Sequence, residues 1–457
     1  MAQVIHTGLI ILLAAFHLAS VSGCAIVAYG THANEGPVLT PPSSTRATTS
    51  ISYDDLKDGL FLGIAMSGGG SRAANFSAAA LLELESYGIV KNATAISSVS
   101  GSSLIAAYYG LFSEDEKRWN REQLRKRLNT NFELRWFGRW FLPWNIPRYW
   151  FTGFDRSDIM THVFDHNLFD NLSFGKMPLI TPKILINATS LTEQGSSFLF
   201  TDEEFSKLGS RLDTYPVSNA VMASGAFAGA VHNVTLRDYT RAQEYSHLFD
   251  GGPSDNLGIE SLRKIAQNLY VGTQEKQRPK ECLILIIDAY TEGWNEYRAD
   301  RDTRKAFTDF VIDTNALEAS SVLLSLRRRE LLNEMGIKFD SETGSPTVYE
   351  RFQLFSDPHD LRLDKYPELR DVNCQAWLIT FQRLAYLKHL PHASAISTIV
   401  NNIPRRYTLV GPHGLSTTET QNALFNAAEM LIKSDKETLA KLCNDFGDNF
   451  PAMKCPK

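Results

Sequence analysis

Two stretches of this chain pass from an apolar run, through a turn of very small residues, into an alanine-rich segment. Leu60–Met66 (LFLGIAM) leads through Ser67-Gly68-Gly69-Gly70-Ser71-Arg72 into residues 73–87, and Ala95–Val99 (AISSV) leads through Ser100-Gly101 into residues 102–112. A strand that is apolar on both sides needs cover on both faces of its sheet, which is the condition of a buried parallel sheet. Lys183–Ala188 (KILINA) and Cys282–Ile287 (CLILII) have the same continuous hydrophobicity. Strand, turn and crossover helix in repetition predict an α/β fold, with a mostly parallel central sheet between two layers of helices. Residues 306–335 and 417–433 have helical patterning, so the C-terminal part reads as a helix-rich extension, with 375–384 offering one more strand. Ser113-Glu114-Asp115-Glu116 reads as a capping box opening a charged helix that ends near Leu128.

Charge and length exclude several function classes. The 457 residues carry 46 Lys+Arg against 51 Asp+Glu, a net charge of −5, which argues against nucleic acid as a partner. Leu9–Ala19 is an apolar run well short of the roughly 20 residues that span a bilayer, and it ends in Val21-Ser22-Gly23-Cys24. That end resembles a bacterial lipobox. The reading is therefore a lipoprotein signal over 1–23, Cys24 as the lipid-modified residue, a Pro/Ser/Thr-rich tether over 24–55, a core over 56–300 and the helix-rich part over 301–457. The location implied is the cell envelope, with Ala25 after the cysteine fitting outer-membrane sorting in a Gram-negative species. Five cysteines are too few for a disulfide scaffold. Cys282 reads as an inert buried thiol, and pairing of Cys443 with Cys455 stays open.

Three motifs carry chemistry. The Gly68-Gly69-Gly70 turn leaves backbone N–H groups unobstructed at a helix N-terminus, the geometry an oxyanion hole needs; a phosphate-gripping loop would require glycine spacings that are absent. Ser98-Val99-Ser100-Gly101-Ser102 has the layout of a nucleophile elbow with serines at both outer glycine positions. Spacing alone does not separate Ser100 from Ser97, Ser98, Ser102 and Ser103. In Asp250-Gly251-Gly252-Pro253-Ser254-Asp255-Asn256, a carboxylate stands at a bend with little bulk around it, which suits a base that must meet a hydroxyl closely. Each motif taken singly also reads as an ordinary turn.

In this order and spacing the three resemble the patatin-like phospholipase family over roughly residues 58–290, supported by Asn219–Gly229 (NAVMASGAFAG). The lipobox, Asn187–Ser190 (NATS) and DGGPSDNLG look most like the bacterial lipoproteins of that family. The resemblance implies a three-layer patatin-like fold and a lipid acyl hydrolase that uses a Ser–Asp dyad without histidine, metal or cofactor. It assigns Ser100 as nucleophile, Asp250 as base and Gly68, Gly69 and Gly70 as oxyanion donors. Arg72 takes the place of the family arginine, which holds the loop or faces a lipid phosphate. Two rival readings remain: a Ser–Asp–His esterase using a late histidine such as His413, and a non-catalytic envelope binding module.

One segment stands apart. Between Lys117 and Arg148 there are nine Lys/Arg against two Glu, and Trp136–Phe151 has aromatics at eight of sixteen positions. Trp beside Arg is the composition of a bilayer interface, so Trp136, Trp140, Trp144 and Trp150 are candidates for membrane contact, with membrane lipids as substrate.

Overall fold

The computed structural model describes residues 31–36, 49, 51–178, 182–227, 231–242, 244–271, 278–291, 314–387, 389–411 and 414–450. The expected signal segment, Cys24, His413 and Cys455 lie outside the described residues. In chain order the main elements are β1 (Leu60–Met66), α1 (Gly70–Ser86), β2 (Ala95–Val99), α2 (Gly101–Phe112), α3 (Arg121–Leu128), α4 (Phe132–Trp140), α5 (Asn145–Phe151) and α6 (Arg156–Phe164). There follow β3 (Lys183–Ser190), β4 (Ser197–Leu199), α7 (Val217–Ser224), β5 (Val234–Asp238), β6 (Glu244–Phe249), α8 (Ile259–Val271) and β7 (Glu281–Asp288). The C-terminal part supplies α9 (Thr314–Glu334), β8 (Tyr349–Gln353), β9 (Asn373–Thr380), α10 (Ala393–Asn401), α11 (Thr417–Lys433) and α12 (Lys436–Phe446).

The strands form one sheet in the order β5-β6-β3-β2-β1-β7-β9-β8, with β4 also paired to β3. The β3-β2-β1-β7-β9 centre is parallel, as the continuous apolar runs require, and the antiparallel pairs lie to either side of it. Alternation along each central strand divides two cores. Leu60, Leu62, Ile64, Leu283, Leu285 and Ile287 face the layer built by α1, α2 and α11. Phe61, Ala65, Ile284 and Ile286 face α8 and the end of α9. Gly63 belongs to the second face, where a Cβ would stand 2.9 Å from Leu262 Cδ1, so the helix packs on bare backbone. Among the described residues no helix is long and apolar enough to cross a membrane.

Three local expectations change. Residues 113–116 do not open a helix: the Ser113 N–H closes the end of α2 on the Tyr109 carbonyl at 2.9 Å, and α3 starts later, where the Asn120 side chain accepts the Gln123 N–H. Cys282 is not a lone thiol. It forms a disulfide with Cys374, its neighbour across the β7–β9 ladder. The 375–384 strand is found as β9, but it ends at Thr380 in a 3-10 turn, and its place beside β7 makes the C-terminal part continue the same sheet.

The disulfide links residues 92 apart in sequence and so restricts the unfolded chain. Cys374→Ser is expected to lower the unfolding free energy by about 2–4 kcal/mol. Urea titration of both proteins without reductant checks this: the midpoint of the variant should lie below that of the parent.

Candidate active site

Both small-residue turns sit at the C-terminal edge of the parallel strands, where β1 and β2 each hand over to a helix. Ser100 occupies the β2–α2 corner with φ 52° and ψ −121°, a conformation rare for a residue with a Cβ and costing about 1–3 kcal/mol. Its backbone N–H donates to Ser224 Oγ at 2.8 Å, which pins the corner to the end of α7. Gly101 follows because nothing larger fits: a Cβ there would lie 2.1 Å from the Gly70 carbonyl oxygen and 2.5 Å from its nitrogen. The glycine turn and the elbow are therefore in backbone contact, and a Cβ on Gly68 would come 3.3 Å from Ser100 Cβ.

The serine cluster sorts itself by hydrogen bonding. Ser97 Oγ bonds to Ser261 Oγ and accepts from Asn187 Nδ2, both at 2.8 Å. Ser98 Oγ donates to the Leu185 carbonyl, Ser102 Oγ to the Ser67 carbonyl at 2.6 Å, and Ser103 Oγ pairs with Ser224 Oγ. These four build the corner. Ser100 alone among them turns its hydroxyl toward Asp250.

Asp250 stands at the end of β6, held on all sides. Its N–H donates to the Ala226 carbonyl, its carbonyl accepts from Thr189 Oγ1 at 2.8 Å, and the Gly251 N–H donates to the Ser224 carbonyl. A Cβ on Gly251 would meet the Asn187 carbonyl at 2.5 Å, so the carboxylate is carried on a bend pressed against β3. Ser100 is 8% exposed and Asp250 5%. Burial pushes the Asp250 pKa up to about 6; the Gly252 N–H donating to Oδ1 at 2.7 Å, the Ser100 hydroxyl and the Arg405 charge each hold it back.

The other acidic residue of this motif is structural. Asp255 accepts the N–H groups of Leu257, Gly258 and Glu260 at 2.7–3.0 Å and so caps α8. The Asn256 carbonyl accepts the Gly68 N–H at 3.0 Å. Of the three glycines expected to bind an oxyanion, Gly68 thus has its N–H engaged, while those of Gly69 and Gly70 have no acceptor among the described residues.

Arg72 does not face the cleft. It is buried, and Nη1 donates to the Ile403 carbonyl at 2.7 Å and to Thr291 Oγ1 at 2.9 Å. Both bonds go to the protein's own groups, on the segments that carry Ile403 and Thr291. The segment it holds was not predictable from its own sequence: Ile403–Tyr407 folds over the glycine turn, and the Arg406 carbonyl accepts the Ser71 N–H at 2.7 Å. A Cβ on Gly70 would lie 2.3 Å from that same carbonyl. This segment brings two further groups to the site. The buried Tyr407 hydroxyl has its pKa raised by burial and further by the Asp250 charge, with Ser100 pulling it back. Arg405 lies close enough to act on Asp250 by charge, and it makes no hydrogen bond or ion pair among the described residues. The neighbouring arginines are committed, Arg328 to Asp288 and Gln382, and Arg406 to Glu133. Among the described residues no group of three or more His, Cys, Asp or Glu side chains is placed to hold a metal ion.

The four candidate tryptophans do not share one fate. Trp136 turns inward, its Nε1 donating to the Arg156 carbonyl at 2.8 Å, and meets Trp140 edge-on at 4.8 Å, whereas Trp144 and Trp150 are exposed.

A strained, buried serine at a strand–helix corner thus lies beside a buried carboxylate and glycine N–H groups that have no acceptor among the described residues. Residues 64–263, which contain the glycine turn, Ser100 and Asp250, match a family model described as patatin-like phospholipase. Among solved structures, human GIVD cytosolic phospholipase A2 is similar at 13% identity and a TM-score of 0.46, covering 83% of this chain and 59% of that one. VipD from Legionella pneumophila is similar at 11% identity and a TM-score of 0.30, covering 92% and 77%. ExoU of Pseudomonas aeruginosa, solved with SpcU, is similar at 13% identity and a TM-score of 0.27, covering 90% and 87%. The chain thus spans about three fifths of the human enzyme. A comparison with curated proteins gives no significant match.

Gly101→Ala tests the backbone contact. The added methyl has only main-chain atoms to displace, so reaction of Ser100 with a fluorophosphonate is expected to slow at least tenfold while circular dichroism keeps its α/β signature.

Proposed function

We propose that this protein is a serine acyl hydrolase acting on lipid esters through a Ser100–Asp250 dyad. The observation that carries the reading is the buried Asp250 carboxylate facing the strained Ser100 hydroxyl, within a segment that matches the patatin-like phospholipase model. Asp250 takes the Ser100 proton as Oγ attacks the ester carbonyl. The Gly69 and Gly70 N–H groups receive the developing oxyanion. Collapse of the tetrahedral adduct expels the alcohol, which takes the proton from Asp250, and leaves Ser100 acylated. Water, deprotonated by the same carboxylate, then releases the fatty acid and restores the serine. Export to the cell envelope with lipid on Cys24 belongs to this proposal. The Cys282–Cys374 disulfide supports an oxidising compartment, and mass spectrometry of the mature N-terminus tests the anchor.

Fluorophosphonate labelling with peptide mapping tests the dyad. Label is expected on Ser100, absent in Ser100→Ala and reduced at least a hundredfold in rate in Asp250→Asn; label on another serine overturns the assignment. The His413 esterase reading predicts instead that His413→Ala abolishes labelling.

The base must be ionised to work, so hydrolysis should rise with pH through a midpoint of about 6, where half of Asp250 is deprotonated. Arg405 favours the carboxylate form, so Arg405→Gln should move that limb to higher pH. A pH–rate profile of kcat/KM for both proteins reads the shift; an unmoved limb would remove Arg405 from the electrostatics of the base.

A further inference from the structure

We propose that the exposed apolar face of α4 and α5 docks on an anionic phospholipid surface. The inference rests on the lipid-hydrolase reading for its purpose but on independent observations for its geometry. Helix α4 is apolar on two sides. Phe132 and Trp136 pack into the core, while Leu134, Phe137 and Phe141 point out to solvent. Trp144, Trp150 and Phe151 of the following turn and α5 continue the patch; Phe141 is 64%, Trp144 61% and Phe151 81% exposed. Exposed aromatic rings in this number over two successive short helices are costly in water and mark a binding face.

Charge selects the occupant. Arg135, Arg139 and Arg148 flank these rings, and none forms an ion pair with a carboxylate among the described residues. Arg135 bonds only a neutral amide, that of Asn167, and Arg148 lies over the Phe154 ring at 3.9 Å. A second copy of this chain would set one arginine rim against another, whereas anionic head groups would neutralise the rim as the rings enter the interface.

The face is also wired to the site. The Phe132 N–H donates to the Tyr407 carbonyl at 3.1 Å, and Glu133 accepts from Arg406 Nη2 at 2.7 Å and from the Tyr407 N–H at 2.9 Å. A bilayer docked on α4 therefore lies beside the segment that roofs Ser100.

The test uses the full chain with Cys24→Ser, to remove the proposed anchor, and vesicles of phosphatidylcholine with or without phosphatidylglycerol, some carrying brominated acyl chains. Sedimentation should show binding at least tenfold tighter to the anionic vesicles, since each arginine at a charged surface is worth about fivefold. Phe137→Asp/Phe141→Asp should weaken it at least tenfold, and Arg135→Gln/Arg139→Gln/Arg148→Gln should erase the anionic preference. Brominated chains should quench tryptophan emission, and Trp144→Phe/Trp150→Phe should abolish most of that quenching. The proposal is overturned if the double aspartate variant binds like its parent, if quenching survives loss of both tryptophans, or if gel filtration shows a dimer dissolved by the same substitutions. Fluorophosphonate labelling of each variant without vesicles keeps the two readings apart: a labelled protein that ignores vesicles defeats the docking face alone, and a docked protein that takes no label defeats the hydrolase alone.

Discussion

Three main chains meet at the site with no side chain between them. Gly101 lies against Gly70, and Gly70 against the Arg406 carbonyl, so closely that a methyl at either glycine would stand 2.1–2.3 Å from a backbone oxygen. This contact joins the ends of β1 and β2 to a segment more than three hundred residues further on. Ser100 can keep an unfavourable backbone conformation because the flanking chain is over-determined. Its own N–H is held by Ser224, and the residue after it has no room to relax. The energy stored at the corner is offset by the packing of α1 and α2 against the sheet and against each other.

Electrostatics at the site follow from how its arginines are spent. Arg72 is tied to the Ile403 carbonyl and Thr291, Arg328 to Asp288 in a buried pair, and Arg406 to Glu133 at the surface. Arg405 makes no hydrogen bond or ion pair among the described residues and lies over the Tyr290 ring at 5.7 Å, and Asp250 is one of the groups that feel its charge. Burial drives Asp250 toward its protonated form, and the Gly252 N–H, the Ser100 hydroxyl and last the Arg405 charge drive it back, leaving the carboxyl at about 6. A carboxylate fully paired with arginine would be a weaker base.

How much of this could be read from the chain depends on how local each cause is. The strands β1, β2, β3 and β7 were legible because cover on both faces writes a continuous apolar run; β5 and β8, lying outside the parallel centre with mixed patterns, were not anticipated. The two small-residue turns and the DGG bend were legible as motifs from order and spacing, whereas the partners that Ser97, Ser98, Ser102 and Ser103 find elsewhere in the fold, which set Ser100 apart, were not. Cys374 carried no mark of its pairing, since only strand register places it opposite Cys282. Arg405 and Tyr407 were invisible for the same reason: nothing local to 403–407 says that it returns to the glycine turn. The basic aromatic segment was found by composition, yet composition could not tell that Trp136 faces inward while Phe137 and Phe141 face out. That distinction is set by a quarter-turn of one helix.

Because the roof over Ser100 comes from the C-terminal part, the segment that matches the family model is incomplete as a physical unit without it. Tyr407 is wedged so tightly that a Cβ on Gly225 would lie 1.9 Å from its hydroxyl oxygen, and its backbone is held from the other side by Phe132 and Glu133 of α4. The same residue therefore touches the end of the segment that carries Ser224 and the helix that presents the exposed aromatic face. Movement of α4 has to be absorbed at Tyr407 or passed on toward Gly225 and the N–H of Ser100. Close-packed backbone at such a junction has few intermediate positions to occupy, so the exposed aromatic face and the Ser100 corner share one rigid support.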